Sequence, residues 1–206
     1  MLASITFSGS EFAGPQLVGL LVAVSFAAGL NVYATVATLG LLGHTHWLVL
    51  PTGLLLLSNW WVIGAAIVLF GVEFFADKVP AFDLIWNAVH TFVRIPVAAL
   101  IAYNATSQLS PQMQLLATLA GGAIALAAHG SKTAARVAVT PSPEPVSNIA
   151  LSAGEDMLAV FLTWLATQHP LVAGGIAVAF LIVIVVMVRW IVRTIRYAFS
   201  ALATSS

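Results

Sequence analysis

Six long apolar stretches, near residues 17–43, 53–76, 84–104, 113–139, 147–167 and 171–195, alternate with "GHTHWLVLPT", "DKVPAFD", "NATSQLSPQ", "TPSPEP" and "TQHP". About 20 apolar residues in a helix cross the hydrocarbon of a bilayer, and each stretch has that length. None alternates apolar and polar residues with period two, which excludes a β-barrel. The pattern predicts an all-α polytopic membrane protein of about six transmembrane helices, with both termini on one side. The third stretch fits the pattern of a span least well, because His90, Arg94 and Pro96 lie inside it.

Composition sharpens this picture. Of the 206 residues, 61% are apolar and 7% charged, against about 25% charged in a soluble domain. The chain is expected to be a single transmembrane domain, residues 1–206. Cysteine is absent, which removes disulfide, thiolate and iron–sulfur chemistry from consideration. A net charge of zero points to no nucleic-acid partner. The start "MLASITFSGSEFAGPQ" lacks the basic and continuous apolar regions of a signal peptide, so the first apolar stretch is expected to stay in the mature chain.

Lys78, Arg94, Lys132, Arg136, Arg189, Arg193 and Arg196 all fall at or near one face of this topology, and the opposite loops carry no Lys or Arg. The positive-inside rule then predicts cytoplasmic termini. Arg189, Arg193 and Arg196 read as the anchor of the last helix, and Trp47, Trp60 and Trp61 as an aromatic belt on the other side.

With that anchor and Glu11 set aside, the remaining charges form two groups: Glu73, Asp77, Lys78, Asp83 and Arg94, then Lys132, Arg136, Glu144, Glu155 and Asp156. A charge at bilayer depth costs about 2.5–3.5 kcal/mol on insertion scales, so such residues face a bundle interior, pair, or line a wet cavity. Glu73 and Asp77 are four apart and share a helix face, as do Lys132 and Arg136. Acidic spans two and five are therefore expected to face basic span four. Asp83 and Glu144 read as solvated loop charges.

The two groups prompt a search for a repeat. "AGLNVYATVAT" at 28–38 lies over "HGSKTAARVAV" at 129–139 with four identities, and Asn31 falls on Lys132. Three spans per half is an odd number, so the halves, about 15–105 and 112–198, would be inverted, as in many secondary transporters. In that plan the sites lie on interrupted helices, and Gly29 and Gly130 are the expected breaks. Close helix packing is the alternative use of either glycine.

Enzyme chemistry finds little support. Ser131 and Lys132 are adjacent and diverge on a helix, and His44 and His46 have no third metal ligand nearby. No Gly-rich phosphate loop occurs. The strings "AGLNVYATVATLGLLG", "FFADKVPAFDLIWNAVHTFVRIPVAAL" and "HGSKTAARVAVTPSPEPVSNIALSAGEDMLA" resemble the segments of a bacterial integral-membrane family catalogued only as a domain of unknown function, the four-one-two-six family. The likeness covers roughly residues 27–160. It implies a bacterial inner-membrane location and lends no activity or functional residue.

The residues therefore read as a small secondary transporter or permease for a small polar or ionic solute, with a carboxylate as proton carrier and no cofactor or metal. The expected path is Asn31, Glu73, Asp77, Lys78, Arg94, His129, Lys132, Arg136, Glu155 and Asp156, with Lys132 as anion partner or gate. Expected partners are the lipid bilayer, the solute and a second copy of the chain. A non-catalytic scaffold or accessory subunit is the alternative, followed by an intramembrane enzyme acting on lipid.

Overall fold

A computed structural model describes residues 14–78, 80–139 and 145–203, with the side chains of 80–84, 136–139, 145–148, 195 and 197–203 excepted. Glu11, the side chains of Asp83 and Arg136, Glu144 and most of the "TPSPEP" segment lie outside the described residues. Among the described residues all regular structure is helical: α1 (Gly14–Leu30), α2 (Val32–His44), a 3-10 helix (Thr52–Ser58), α3 (Trp60–Ala76), α4 (Pro80–Ala105), α5 (Pro111–Val139), α6 (Pro145–Gln168) and α7 (Pro170–Ala203). Each of α4 to α7 begins on a proline, the residue whose fixed φ and missing N–H suit the first helical position. Pro96 lies inside α4, which continues through it.

Four helices carry segments long and apolar enough to cross a membrane: Ile85–Ala105, Pro111–Ala135, Ile149–Gln168 and Pro170–Thr194. The 3-10 helix with α3 makes a fifth if the pair is counted as one span. The last segment is the most telling, since only 17% of its membrane-length window is buried. So much bare Val, Ile and Leu has no place in water, and lipid is the solvent that tolerates it.

Two of the expected spans are not single helices. The stretch 53–76 bends by 65° between the 3-10 helix and α3, where Asn59 adopts an extended backbone and caps the new helix by accepting the Trp61 N–H at 2.9 Å. The stretch 17–43 is divided at Asn31 into α1 and α2.

Helices cannot gain from the hydrophobic effect once lipid surrounds them, so association rests on close van der Waals packing of small residues. The seam between α1 and α7 is built in that way. A Cβ on Gly174 would stand 2.7 Å from Gly19 Cα, and one on Gly19 would stand 2.4 Å from the Pro170 carbonyl oxygen. Helix α1 also packs on α4, α5 and α6, which makes it the central helix of the bundle. Its C-terminal end therefore delivers Asn31 to the middle of the protein.

Candidate functional site

The interruption at Asn31 has a simple local cause. In a continuous helix the Ala34 N–H would bond the Leu30 carbonyl four residues back. Here Ala34 N–H donates instead to Asn31 Oδ1 at 2.9 Å, so Asn31 is the N-cap of α2. The Leu30 carbonyl is thereby released, and the Lys132 ammonium of α5 takes it at 3.3 Å. Because the Asn31 oxygen is committed to the cap, its amide nitrogen faces outward and donates to Asp156 Oδ1 of α6 at 2.8 Å. One asparagine thus ends a helix, frees a carbonyl for a cation and orients a carboxylate.

Around this break four carboxylates and two cations meet. Lys132 Nζ lies 3.0 Å from Asp77 Oδ2, 3.4 Å from Glu155 Oε2 and 3.6 Å from Glu73 Oε1. The same oxygen, Glu73 Oε1, is also held in an ion pair by Arg94 of α4. Ser152 Oγ adds a contact to Asp77 Oδ2 at 3.4 Å. Arg94, Lys132, Glu73 and Asp77 are all essentially inaccessible, and Glu155 and Asp156 are buried. Groups this deep are tolerable only when charge and hydrogen bonds are both answered.

Arg94 is fixed by its own helix and by α5. Its guanidinium donates to Asn87 Oδ1 at 3.1 Å and meets His129 Nδ1 at 2.7 Å. Arginine can only donate, so Nδ1 must accept, and the His129 ring hydrogen resides on Nε2. That nitrogen lies 3.1 Å from the Asn87 carbonyl and 2.8 Å from Thr91 Oγ1. A side pair continues the network toward α2: His90 Nδ1 donates to the Trp86 carbonyl at 2.8 Å, which leaves Nε2 to accept from the Tyr33 hydroxyl at 2.9 Å.

The structure thus brings together Asn31, Glu73, Asp77, Arg94, His129, Lys132, Glu155 and Asp156. Lys78 is elsewhere. Its ammonium folds back onto the Phe74 carbonyl at 2.8 Å and over the Phe74 ring, 3.0 Å from the centroid. The side chain of Arg136 is outside the described residues. Neither glycine is itself a break. Gly29 lies in the last turn of α1, where a Cβ would meet the Ala125 carbonyl oxygen of α5 at 2.5 Å, so it serves close packing, and the break comes two residues later. Gly130 lies inside an uninterrupted α5, is exposed and has nothing within 4 Å of a built Cβ. The reason is local: α5 has no capping side chain at the position matching Asn31, because Lys132 there is long and reaches across to another helix.

Asn87, Thr91, Ser152, His90 and Tyr33 were not foreseen. The first two had a visible signal, since Asn87, Thr91 and Arg94 recur at i, i+4 and i+7 and so share one face of α4. Ser152 precedes Asp156 by four residues in the same manner.

Two features separate this centre from a set of plain structural ion pairs. First, among the described residues four carboxylates meet two cations, Arg94 and Lys132. Second, three buried atoms, Glu73 Oε2, Arg94 Nε and Asp156 Oδ2, have no hydrogen-bond partner among the described residues. Next to Asp156 an open groove of about 640 Å³ runs between α3 and α6. Among the described residues no three His, Asp or Glu side chains are grouped to hold a metal ion.

Fold and centre together define an all-helical membrane protein with a charged interior built around a broken helix. The chain belongs to the family described as Domain of unknown function (DUF4126), whose sequence profile matches residues 18–190. No curated protein and no solved structure matches it.

Proposed function

We propose that this protein is a small secondary transporter for a small polar or ionic solute, coupled to protons through carboxylates of the buried centre. The observation that carries the reading is the Lys132 ammonium held between Glu73, Asp77, Glu155 and the carbonyl released by the helix break. A scaffold needs no charge at this depth, and apolar residues of the same volume would hold a bundle as well or better. A buried carboxylate oxygen left without a partner among the described residues, as on Glu73 and Asp156, by contrast has use for a mobile positive charge, either a proton or a cationic solute. Interrupted helices are where transporters expose backbone groups to their cargo. Lys132 is fully engaged by acids here, so its expected part is that of an internal counter-ion and gate more than an anion partner.

The accompanying topology is six crossings, with α1 and α2 forming the first and the 3-10 helix with α3 the second. Two inverted halves of three crossings would exchange the α4–α5 and α1–α7 interfaces, and these are the two most extensive helix pairings in the bundle. Both termini would be cytoplasmic in a bacterial inner membrane, as the basic end of α7 suggests. Cysteines at Ser107 and Ser205 distinguish the sides: an impermeant thiol reagent added outside should label only the first.

Transport is tested by reconstitution into liposomes with an imposed pH gradient, across a panel of ions and small metabolites. Proton flux that requires one solute and is lost in Asp77→Asn and Asp156→Asn supports the reading. If no solute moves, and both variants complement a deletion strain, the scaffold reading replaces it.

A further inference from the structure

The groove beside Asp156 differs from the ordinary furrows of a lipid-facing surface. Its volume of about 640 Å³ lies within the range of small-molecule sites. Its walls are aromatic, with Phe70 and Phe74 on α3 and Phe161 and Trp164 on α6, and a buried carboxylate lies against it. Asp156 is 95% buried by its exposure of 5%, has Oδ1 pinned by Asn31, and leaves Oδ2 without a partner among the described residues. The residues on α6 fall within Ile149–Gln168, a segment of membrane-spanning length and hydropathy, which on the six-crossing topology proposed above turns the opening toward hydrocarbon.

We propose that this groove admits a lipophilic organic cation laterally from the bilayer and holds its charge against Asp156. This assignment of substrate class rests on the transporter reading above. Charge complementarity selects the occupant. Aromatic faces attract cations through the ring quadrupole, more strongly when water is excluded, and Phe74 already carries the Lys78 ammonium 3.0 Å from its centroid. The unpartnered Oδ2 of Asp156 favours a positive guest over a neutral or negative one. Apolar substituents on the cation would replace lipid against Phe161 and Trp164, so entry along the membrane plane costs little desolvation. A neutral lipid chain would fill the same volume and leave the carboxylate unanswered.

The test uses the full chain in lipid nanodiscs and radiolabelled tetraphenylphosphonium, with empty nanodiscs subtracted. Tetraphenylborate, an anion of nearly the same shape, is the competitor. Saturable binding is expected, with affinity at least about tenfold weaker in Asp156→Asn, which is about 1.4 kcal/mol. Tetraphenylborate should not compete. Met157→Trp places bulk on the groove side of α6 without touching the charged centre, and it should also abolish binding if Asp156→Asn fails to fold. Absence of saturable binding, equal binding by both variants, or equal competition by tetraphenylborate would overturn the proposal. Binding without pH-driven uptake into liposomes would uphold the groove and overturn the transporter, whereas uptake of another solute without tetraphenylphosphonium binding would do the reverse.

Discussion

Residues 28–38 and 129–139 look alike in sequence and are put to opposite uses. In the first segment the helix ends at Leu30 and restarts at Val32, with Gly29 pressed against α5. In the second, α5 runs straight through, Gly130 faces outward, and the residue aligned with Asn31 is Lys132, which crosses to the first segment's free carbonyl. One segment supplies the gap and the other supplies the charge that fills it. A shared pattern of small residues therefore fixes where two helices can approach, but the polar residue at one position decides whether the backbone opens or stays closed. The same contrast orders the expected consequences of mutation, from removal of the charge to the loss of a bare glycine.

The largest effect is expected at Lys132. Replacing it by Met removes an ammonium 3.0 Å from Asp77, 3.4 Å from Glu155 and 3.6 Å from Glu73. Breaking a buried ion pair from one side costs about 3–5 kcal/mol. Denaturant or thermal unfolding in detergent measures it. Adding Asp77→Asn to Lys132→Met should recover part of the loss, with a coupling of about 1–3 kcal/mol. Strictly additive losses would show that the ammonium is not what holds these helices together, and the comparison of gap and filler would lose its second half.

Asn31 comes next. Asn31→Ala removes both the cap on α2 and the hydrogen bond to Asp156. A lost cap costs about 0.5–2 kcal/mol and an unanswered buried acceptor about 1–3 kcal/mol, so about 1.5–5 kcal/mol is expected in total. Asn31→Asp separates the two roles, because it keeps an N-capping oxygen while setting a second carboxylate beside Asp156. If the break is a device for orienting Asp156, Asn31→Asp should fold better than Asn31→Ala and transport no better. Equal stability and full transport in both would mean that the break is incidental to the site.

The sequence made the class of protein legible because apolar run length and charge scarcity are properties of the chain alone. The composition of the centre was also readable: ionisable residues at membrane depth have few places to go, so Glu73, Asp77, Arg94, Lys132, Glu155 and Asp156 had to meet inside. Which acid meets which base was not readable. Pairing depends on rotation and depth of whole helices, and a turn of α6 exchanges Glu155 for Asp156 in front of Lys132. The break was legible as a region but not as a residue. Glycine lowers helix propensity by about 1 kcal/mol relative to alanine, whereas Asn31 actively competes for the backbone N–H of Ala34, and the competitor decided the position. The 65° bend before α3 was missed for the opposite reason: "TGLLLLS" is as apolar as any span, and hydropathy carries no information on direction.

A smaller loss is expected for Gly29→Ala. Its Cβ would stand 2.5 Å from the Ala125 carbonyl oxygen and 2.7 Å from Ala128 Cβ, so α1 and α5 must separate. Overpacking of this kind costs about 1–3 kcal/mol, and the separation would lengthen the contact between Lys132 and the Leu30 carbonyl. Transport should therefore fall together with stability. Undiminished transport in a destabilised Gly29→Ala would show that the helix seam and the charged centre are mechanically independent.

The smallest effect, and the one of opposite sign, belongs to Gly130. It lies within a helix, is exposed, and has open space around a built Cβ. With no steric conflict, an alanine there should act through propensity alone and stabilise the protein by about 0.5–1 kcal/mol, since glycine loses more backbone freedom on folding. Melting of Gly130→Ala beside Gly29→Ala in the same detergent reads both signs in one experiment. A modest gain at 130 with a loss at 29 would mean that α5 needs no hinge and that flexibility in this protein is concentrated at Asn31. A gain in stability accompanied by loss of transport would mean something different: α5 would then open at Gly130 during the cycle, as the first helix is already open at Asn31, and the two aligned segments would be alternately broken halves of one mechanism.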